Sequence, residues 1–483
     1  MSGNIAAQTQ DKLPVPEIEP LSHHTIGGRS ADTAYLHEPI QQVWLSDGHF
    51  IEDELLNTSW WKVFKDPLLD SLLDIGVSNN YDISMAIRRM QIAKAGIGSA
   101  RAAYYPTVNV SAGWSGARAS GALEGSDVPA SYSRGWNLGA NMSWEIDIFG
   151  KLSSKVKQSK ANYRASRAEY TGIMVSLRAQ IAETYFQIRM WQAELTVARK
   201  HAERQLTVLN IARDRYAAGL ASMLDVSQAS TVYYSTVASI PMLENSIHTG
   251  INSLAVLMGE YPANFYSLLK EPKPMPELEY HIYTGLPMDL LSRRPDLIEA
   301  RDKVDAAAAA LGIARKEYLP SLTIEGSIGT SARNLEDMFK GNSYTYSIAP
   351  TLSWTVFDGL GRKYNVEQQR LELENSIDSY NLTVMNAVQE TDNAMSTYIN
   401  SLRHIQALEE VMKWSSEAED KAISLYRSGL SSFTDVAQAM VNMLEAQNNN
   451  IAARGDALIS LVTLYKALGG SWQTDEYVQK TLR

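Results

Sequence analysis

Two copies of one short constellation are the first candidates for chemistry. Ser222 and Asp225 stand in "GLASMLDV", and Ser432 and Asp435 stand in "GLSSFTDV". A serine three residues ahead of an acid makes a capping box. The hydroxyl takes the acid's amide, the carboxylate reaches back, and a helix opens. Gly219 and Gly429 stand just before, suited to the left-handed residue that closes the preceding helix. Beyond these, reaction chemistry is missing. H-E-x-x-H, phosphate-loop and dinucleotide fingerprints are absent, and the eight histidines are scattered, with His23 and His24 adjacent in the N-terminal tail. Seventeen methionines do not gather into a copper path. With no cysteine there is no disulfide, thiolate metal site or cysteine nucleophile. The expectation is therefore no enzyme, no cofactor and no metal. A net charge of −10 argues against nucleic acid.

The elements that carry these pairs are duplicated. Sliding the sequence by 210 residues lays "YAAGLASMLDVSQA" (216–229) on "YRSGLSSFTDVAQA" (426–439), with eight of fourteen positions identical. The same shift lays Ser143–Trp144 on Ser353–Trp354 and Gly259 on Gly469. Such a period is far too long for a solenoid unit, so the chain is a duplicated half-protein. The expected organisation is a tail and strap over 1–54, a first repeat over 55–260, a proline-rich linker over 261–288, a second repeat over 289–470 and a tail over 471–483. At 483 residues the chain exceeds a single core. Its start, "MSGNIAAQTQDKLPVPEIEP", lacks the basic and apolar regions of a signal peptide as written. No apolar run approaches the ~20 residues of a transmembrane helix.

Each repeat also holds two alternating segments, expected as strand pairs over 107–148 and 321–357. Trp136, Leu138, Ala140, Met142, Trp144, Ile146 and Ile148 alternate with Asn137, Gly139, Asn141, Ser143, Glu145 and Asp147. In the second repeat Tyr344, Tyr346, Ile348, Pro350, Leu352, Trp354 and Val356 alternate with small polar residues. Val108, Val110, Ala112 and Trp114, and later Leu322, Ile324 and Ile328, follow the same rule. Period two means one apolar and one polar face. The longer runs exceed the ~9–11 residues needed to cross a bilayer, and aromatic residues stand near their ends. The uncharged face, with Trp136, Leu138, Met142, Trp144, Leu352 and Trp354, is expected to meet lipid, Trp144 and Leu352 at mid-bilayer. Four strands cannot close a barrel, and an open edge cannot survive in hydrocarbon. The barrel must be shared between chains, and three chains would give twelve strands around a lumen.

Between the strands lie very long helices. From Leu152 to Ala218 there is no proline, which allows a helix on the order of 100 Å. Residues 181, 184, 188, 191, 195, 198, 202, 205, 209, 212 and 216 form a three-four seam in which nine of eleven are apolar. The seam 210 residues on is weaker: Ala394, Tyr398, Ile405, Leu408, Met412, Ala422 and Tyr426. Both tight turns, Gly219-Leu220-Ala221-Ser222 and Gly429-Leu430-Ser431-Ser432, fall at the end of the rod farthest from the strands.

"LLSRRPDLIEARDKVDAAAAALGIARKEYLPSLTIEGSIG" (290–329) closely resembles the outer membrane efflux proteins, the TolC-like family, in its OprM-like branch. The duplicated Y-x-x-G-L-x-S-x-x-D-V hairpin and the strand–loop–strand units resemble it too, over residues 55–472. The resemblance implies an α+β fold: a trimeric outer-membrane β-barrel, four strands per chain and twelve in total, continuous with a long periplasmic α-helical barrel. It implies a passive exit duct of a tripartite pump, with a periplasmic adaptor and an inner-membrane RND-type transporter as partners. The hairpin tips would meet the adaptor through Leu220 and Leu430, and Asp225 and Asp435 would form the periplasmic gate. That branch usually begins with an acylated cysteine, which this sequence lacks. In the RRPD element, Pro295 and Asp296 also read simply as a helix start. Lys151, Lys155, Lys157, Lys160, Arg164 and Arg167 crowd the helix just after the second strand, as headgroup contacts or a solvated face. Two alternatives are a type I protein secretion duct and, in another class, a periplasmic coiled-coil adaptor or scaffold. An adaptor shares the hairpin but has no need of long uncharged strand faces.

Overall fold

The computed structural model describes residues 59–120, 129–276 and 293–470. The N-terminal tail with His23 and His24, part of the linker and residues 471–483 lie outside the described residues.

The chain enters through a 3-10 turn, Trp60–Phe64, and then a helix, α1 (Pro67–Asn79). Asp66 caps α1 by accepting from Leu68 N at 2.9 Å, with Pro67 at the first helical position. Asn80 starts α2 (Tyr81–Ala102): its Oδ1 takes Asp82 N at 2.7 Å, while its Nδ2 donates to Leu257 O at 2.9 Å. One side chain thus sets both a helix start and a long-range contact.

Tyr105 and Leu319 precede prolines, which push them extended and stop the helices before them. Strand β1 (Thr107–Ala119) follows α2 and pairs with β2 (Ser131–Ile146). In the second repeat α6 (Pro295–Lys316) leads to β3 (Ser321–Ala332) and β4 (Tyr344–Ser353). The four strands form one antiparallel sheet in the order β1-β2-β3-β4.

Two helices of 67 residues, α3 (Lys151–Ala217) and α7 (Gly361–Arg427), run away from the sheet. At 1.5 Å per residue each is about 100 Å long. Each returns through a 35-residue helix, α4 (Met223–Leu257) or α8 (Phe433–Ala467). A short helix, α5 (Pro262–Leu269), closes the first repeat. On α3 the seam residues Ile181, Ile188, Leu195, Ala198, Ala202, Leu209 and Ala212 are buried, whereas Tyr216 is exposed. On α7, Ala394, Tyr398, Ile405 and Tyr426 are buried and Leu408, Met412 and Ala422 only partly so.

The main core lies where α1, α3, α4 and α8 converge, around Leu72, Phe186, Ile251, Leu254 and Val462. Trp60 stacks on Tyr465 there, with ring centroids 5.3 Å apart. Gly259 closes α4 in the left-handed region, and a Cβ on it would lie 2.4 Å from Asn79 O, so only glycine fits. A second cluster, with Val208, Leu209, Val226, Tyr426, Phe433 and Val436, sits beside the hairpin turns.

The strand ends are corrected: β2 stops at Ile146, so Asp147 and Ile148 fall beyond it rather than within a strand running to 148. Strand β4 stops at Ser353, so Trp354 and Val356 fall beyond it rather than within a strand running to 357. Ser353 pairs with Ser321, the first residue of β3, and β3 has nothing left to oppose Trp354.

Candidate functional site

Register decides what the sheet can do. Every strand pair joins even residues to even residues: Val108↔Met142, Met142↔Gly326, Gly326↔Ile348. The four apolar faces therefore lie side by side, with no charge on Trp136–Ile146 or Tyr344–Leu352 at those positions. A one-residue slip anywhere would break this. The other face carries Asn109, Asn141, Ser143, Thr323 and Glu325, and Ser327 Oγ lies 2.9 Å from Ser347 Oγ. The uncharged run ends at Arg134, and Arg118 donates to Tyr132 OH at 2.9 Å on the neighbouring strand. From Trp136 to Ile146 a strand rises about 34 Å, or about 26 Å along the axis at the usual barrel tilt, which matches an outer-membrane apolar band.

Within that band the predicted residues are spread unevenly. Trp136 lies opposite Trp114 near one end, and Leu138 opposite Ala112. Met142, not Trp144, falls near the middle, and on β4 the middle is Ile348 rather than Leu352. Trp144 is an anchor at the helix end, its indole N–H donating to Tyr104 O at 2.8 Å. Trp354 repeats this from outside the strand, donating to Tyr318 O at 3.0 Å.

At the far end of the rod, Gly219 and Gly429 take φ of 71° and 76°. Leu220 N and Leu430 N then donate back to Arg215 O and Leu425 O at 2.8 and 2.9 Å. This satisfies the last carbonyls of α3 and α7 and turns the two leucines outward. Leu220 is 68% and Leu430 76% exposed, and Met223 and Leu224 are exposed beside the first. Ala221 and Ser431 are half-buried, and Ser222 and Ser432 open the returning helices.

The two acids differ. Asp435 Oδ2 accepts from Ser431 Oγ at 2.7 Å, Ser432 Oγ at 3.0 Å and Ser432 N at 3.3 Å. Those bonds from Ser431 and Ser432 hold its carboxyl below the usual carboxylate range. Asp225 Oδ1 accepts from Ser222 Oγ at 2.7 Å, and its Oδ2 faces Tyr426 OH of the other hairpin at 3.3 Å. Burial, with Asp225 beside it, pushes the Tyr426 phenol up. The Arg215 guanidinium lies over the Tyr426 ring at 4.9 Å and donates to Arg427 O at 3.1 Å. Three side chains therefore tie one hairpin to the other.

Of the basic residues after β2, Lys151 pairs with Glu145 at 2.7 Å. Arg164 reaches Asp302 at 2.7 Å and Asp305 at 2.6 Å on α6. Lys155, Lys157, Lys160 and Arg167 are exposed.

The profile described as "Outer membrane efflux protein" matches residues 72–260 and 286–470. The chain belongs to the outer membrane efflux protein family. The two matched segments are the two repeats. The pyoverdine export outer membrane protein OpmQ of Pseudomonas aeruginosa is 28% identical over 425 residues, covering 86% of this chain and 88% of its own. The probable efflux pump outer membrane protein TtgC of Pseudomonas putida is 28% identical over 424 residues, covering 86% of this chain and 85% of its own. The solved outer-membrane channel OprN superposes with a TM-score of 0.82 at 26% identity, over 86% of this chain and 93% of that one. An outer-membrane location and an α+β channel fold built on a duplicated chain follow from that membership. Among the described residues no helix is long and apolar enough to cross a membrane.

Some residues of this efflux-family chain escaped the sequence. Arg294, in the RRPD element, is buried and donates to Ala467 O at 2.6 Å, Asp296 Oδ2 at 2.8 Å and Glu390 Oε2 at 2.6 Å. It ties the start of α6 to the end of α8 and to α7. On the rod, Glu419 is buried with Arg204 Nε at 3.2 Å, and burial raises its carboxyl. His201 is buried beside Gln447 Oε1 at 2.8 Å, and burial lowers its imidazole. The basic pair ahead of a helix-start proline was the one available signal for Arg294; the rod residues gave none.

Proposed function

We propose that this chain is the outer-membrane exit duct of a tripartite efflux pump. Three copies close a twelve-stranded barrel whose four-strand unit is the sheet described above, and the long helices continue it as a periplasmic tunnel. Small molecules pass through it passively, delivered by a periplasmic adaptor and an inner-membrane RND-type transporter that supplies the energy. The observation that carries this reading is the sheet itself, with one uncharged apolar face in unbroken register and two unpaired edges. Such a sheet is stable in lipid only when closed by further strands. A coiled-coil adaptor has no use for it.

The exposed Leu220 and Leu430 tips are the adaptor contact in this reading, because matched apolar side chains at the end of a rod invite a partner. Asp225 and Asp435, close behind the tips, form the periplasmic neck. The test is expression with cognate adaptor and transporter in a host lacking its own outer-membrane duct. Dye efflux should return, and native mass measurement in detergent should find three chains per particle. A stable monomer or dimer, or extraction from the outer membrane without detergent, would sink the proposal.

A further inference from the structure

Arginine is out of place on the lipid face of a strand, yet β1 and β2 each end with one there. Arg118 and Arg134 share even parity with Trp136 and Met142, so both stand on the apolar face rather than the watery one. Tyr132 lies opposite Arg118 and Gly116 opposite Arg134, which makes the two arginines diagonal neighbours, about 7–8 Å apart. On this face the next rung below is Trp114↔Trp136, where the apolar band ends. Helices α2 and α3 leave the Thr107 and Ile146 ends of these strands for the periplasm, so the arginines mark the outward end. At the usual rise and barrel tilt, Arg134 lies about 5 Å beyond Trp136 along the axis, and Arg118 about 10 Å beyond Trp114. A headgroup layer is about 5–7 Å deep on each side of the hydrocarbon. The pair therefore spans the headgroups of the outer leaflet.

The side chains are arranged to take an anion. Arg118 Nε donates to Tyr132 OH at 2.9 Å, and its guanidinium lies 5.6 Å from the centroid of that ring. This fixes the side chain and leaves its terminal N–H groups unused among the described residues. Arg134 is exposed and makes no hydrogen bond or ion pair among the described residues. Gly116 has no side chain to face it, and the Trp114 indole leans into that space, with Cη2 2.9 Å from where a Cβ would sit. An aromatic shelf thus underlies two arginines with free donors. Charges on the β3–β4 connection do not cancel them, because Asp337 holds Lys340 at 2.5 Å and Arg333 offsets Glu336. The second repeat has no counterpart. Counted from Thr107↔Ser143 and Ser321↔Ser353, Trp114↔Trp136 matches Ile328↔Tyr346, and Gly116↔Arg134 matches Thr330↔Tyr344. A general rim of solvated bases would recur in both repeats, whereas this pair occurs in one. We infer that Arg118 and Arg134, above the Trp114–Trp136 pair, bind the phosphate of a phosphorylated glycolipid of the outer leaflet, one site per chain. The inference rests on the lipid-facing assignment in the shared-barrel reading above. Guanidinium forks match phosphate oxygens two at a time, and the acyl chains lie down along the tryptophans and the apolar band. A free anion would gain nothing from that apolar floor, so the occupant is lipid. Bound there, it fixes the height of the barrel in the outer leaflet.

The test uses trimers of the full chain, stripped of lipid in detergent, and native mass measurement with added lipid A, an acylated disaccharide carrying phosphates. The parent should bind it at up to one per chain. Dephosphorylated lipid A on the parent should bind at least about tenfold more weakly, because the charge-assisted hydrogen bonds are gone. Phosphorylated lipid A on Arg118→Gln with Arg134→Gln should weaken as much. Lys155→Gln with Lys157→Gln removes the same charge from exposed positions on α3, at the other face of the membrane, and should bind as the parent does. Equal affinity of the parent for both lipids would overturn the proposal, and that comparison depends on no variant folding. Equal loss in the lysine control would reduce the effect to net charge and overturn it as well. Displacement of the lipid by inorganic phosphate, but not by chloride at the same ionic strength, would make the occupant a free anion and overturn the lipid assignment. Failure of the parent to form any trimer would remove the duct reading itself, and this site with it.

Discussion

A positive charge at Met142 is the sharpest test of which face meets lipid. Met142 stands near the middle of the uncharged run of β2, flanked by Val108 on β1 and Gly326 on β3. Its Cε lies 3.3 Å from where a Cβ on Gly326 would sit, so the side chain leans over the glycine on the apolar face. Arginine at a lipid-facing midplane position costs about 2–4 kcal/mol per chain, so about 6–12 kcal/mol for three chains. That is comparable to the whole stability of an ordinary domain, about 5–15 kcal/mol. Met142→Arg should therefore leave almost no heat-resistant trimer in outer-membrane fractions. Asn141→Arg is the matched control, because it places the same charge one residue away on the opposite, watery face. It should assemble nearly as well as the parent. Equal loss in both variants, or normal assembly of Met142→Arg, would refute the assignment of faces.

Leu220→Glu with Leu430→Glu should abolish export while trimers still form; unaltered drug resistance would count against the adaptor contact. Arg294→Met removes donors from Ala467 O, Asp296 and Glu390, leaving Ala467 O, among the described side chains, only Thr391 Oγ at 3.3 Å. It should cost about 1–3 kcal/mol, with Arg294→Lys recovering only part, read from the thermal midpoint in detergent. The Asp435 carboxyl is depressed in the folded chain, so its capping contribution is present above the ordinary value of 3.8 and is lost as pH falls through the folded value. Hydrogen exchange in the first turn of α8 should rise below about pH 4 in the parent, and be raised but insensitive to pH there in Asp435→Asn. Asp225→Asn with Asp435→Asn should reduce the cation selectivity of single channels in an intact trimer. Unchanged selectivity and conductance would leave both acids as caps.

Alternation was legible because a strand's period of two is set by local geometry, and every observed pairing keeps its parity. The ends of the strands were less so. Whether Trp354 is a strand residue depends on what lies opposite it, and one chain supplies nothing there. The α3 seam was readable because Ile181, Ile188, Leu195 and Leu209 recur at helical spacing and are buried. Gln205, in the same seam, is equally buried, and polarity alone would have put it outside. His201 and Glu419 are likewise buried by neighbours on other helices, which spacing within one helix cannot reveal. The repeated S-x-x-D pair was visible as a cap because both partners lie within one turn. Its link to Tyr426 was not, since that residue is 201 positions away.

The two hairpins share eight of fourteen residues yet differ in how their acids and the residues beside them are held. In the second, Phe433 is buried edge-on against Tyr426, with ring centroids 5.3 Å apart, and Asp435 is satisfied within its own turn. In the first, the matching Met223 is exposed, and Asp225 spends one oxygen on its cap and the other on Tyr426 across the gap. Separating the hairpins would break the Asp225–Tyr426 bond, lift Arg215 from the Tyr426 ring and open the apolar cluster that Val208, Leu209 and Val226 share with Tyr426, Phe433 and Val436. It leaves the Asp435 cap untouched. The bond is long, half-exposed and about 1 kcal/mol in strength, so it sets where the two tips meet, while the buried apolar cluster behind it supplies most of their attachment. The duplication supplies the scaffold twice, and the few unmatched residues at the tips leave Asp435 satisfied within its own turn and Asp225 shared between the two hairpins.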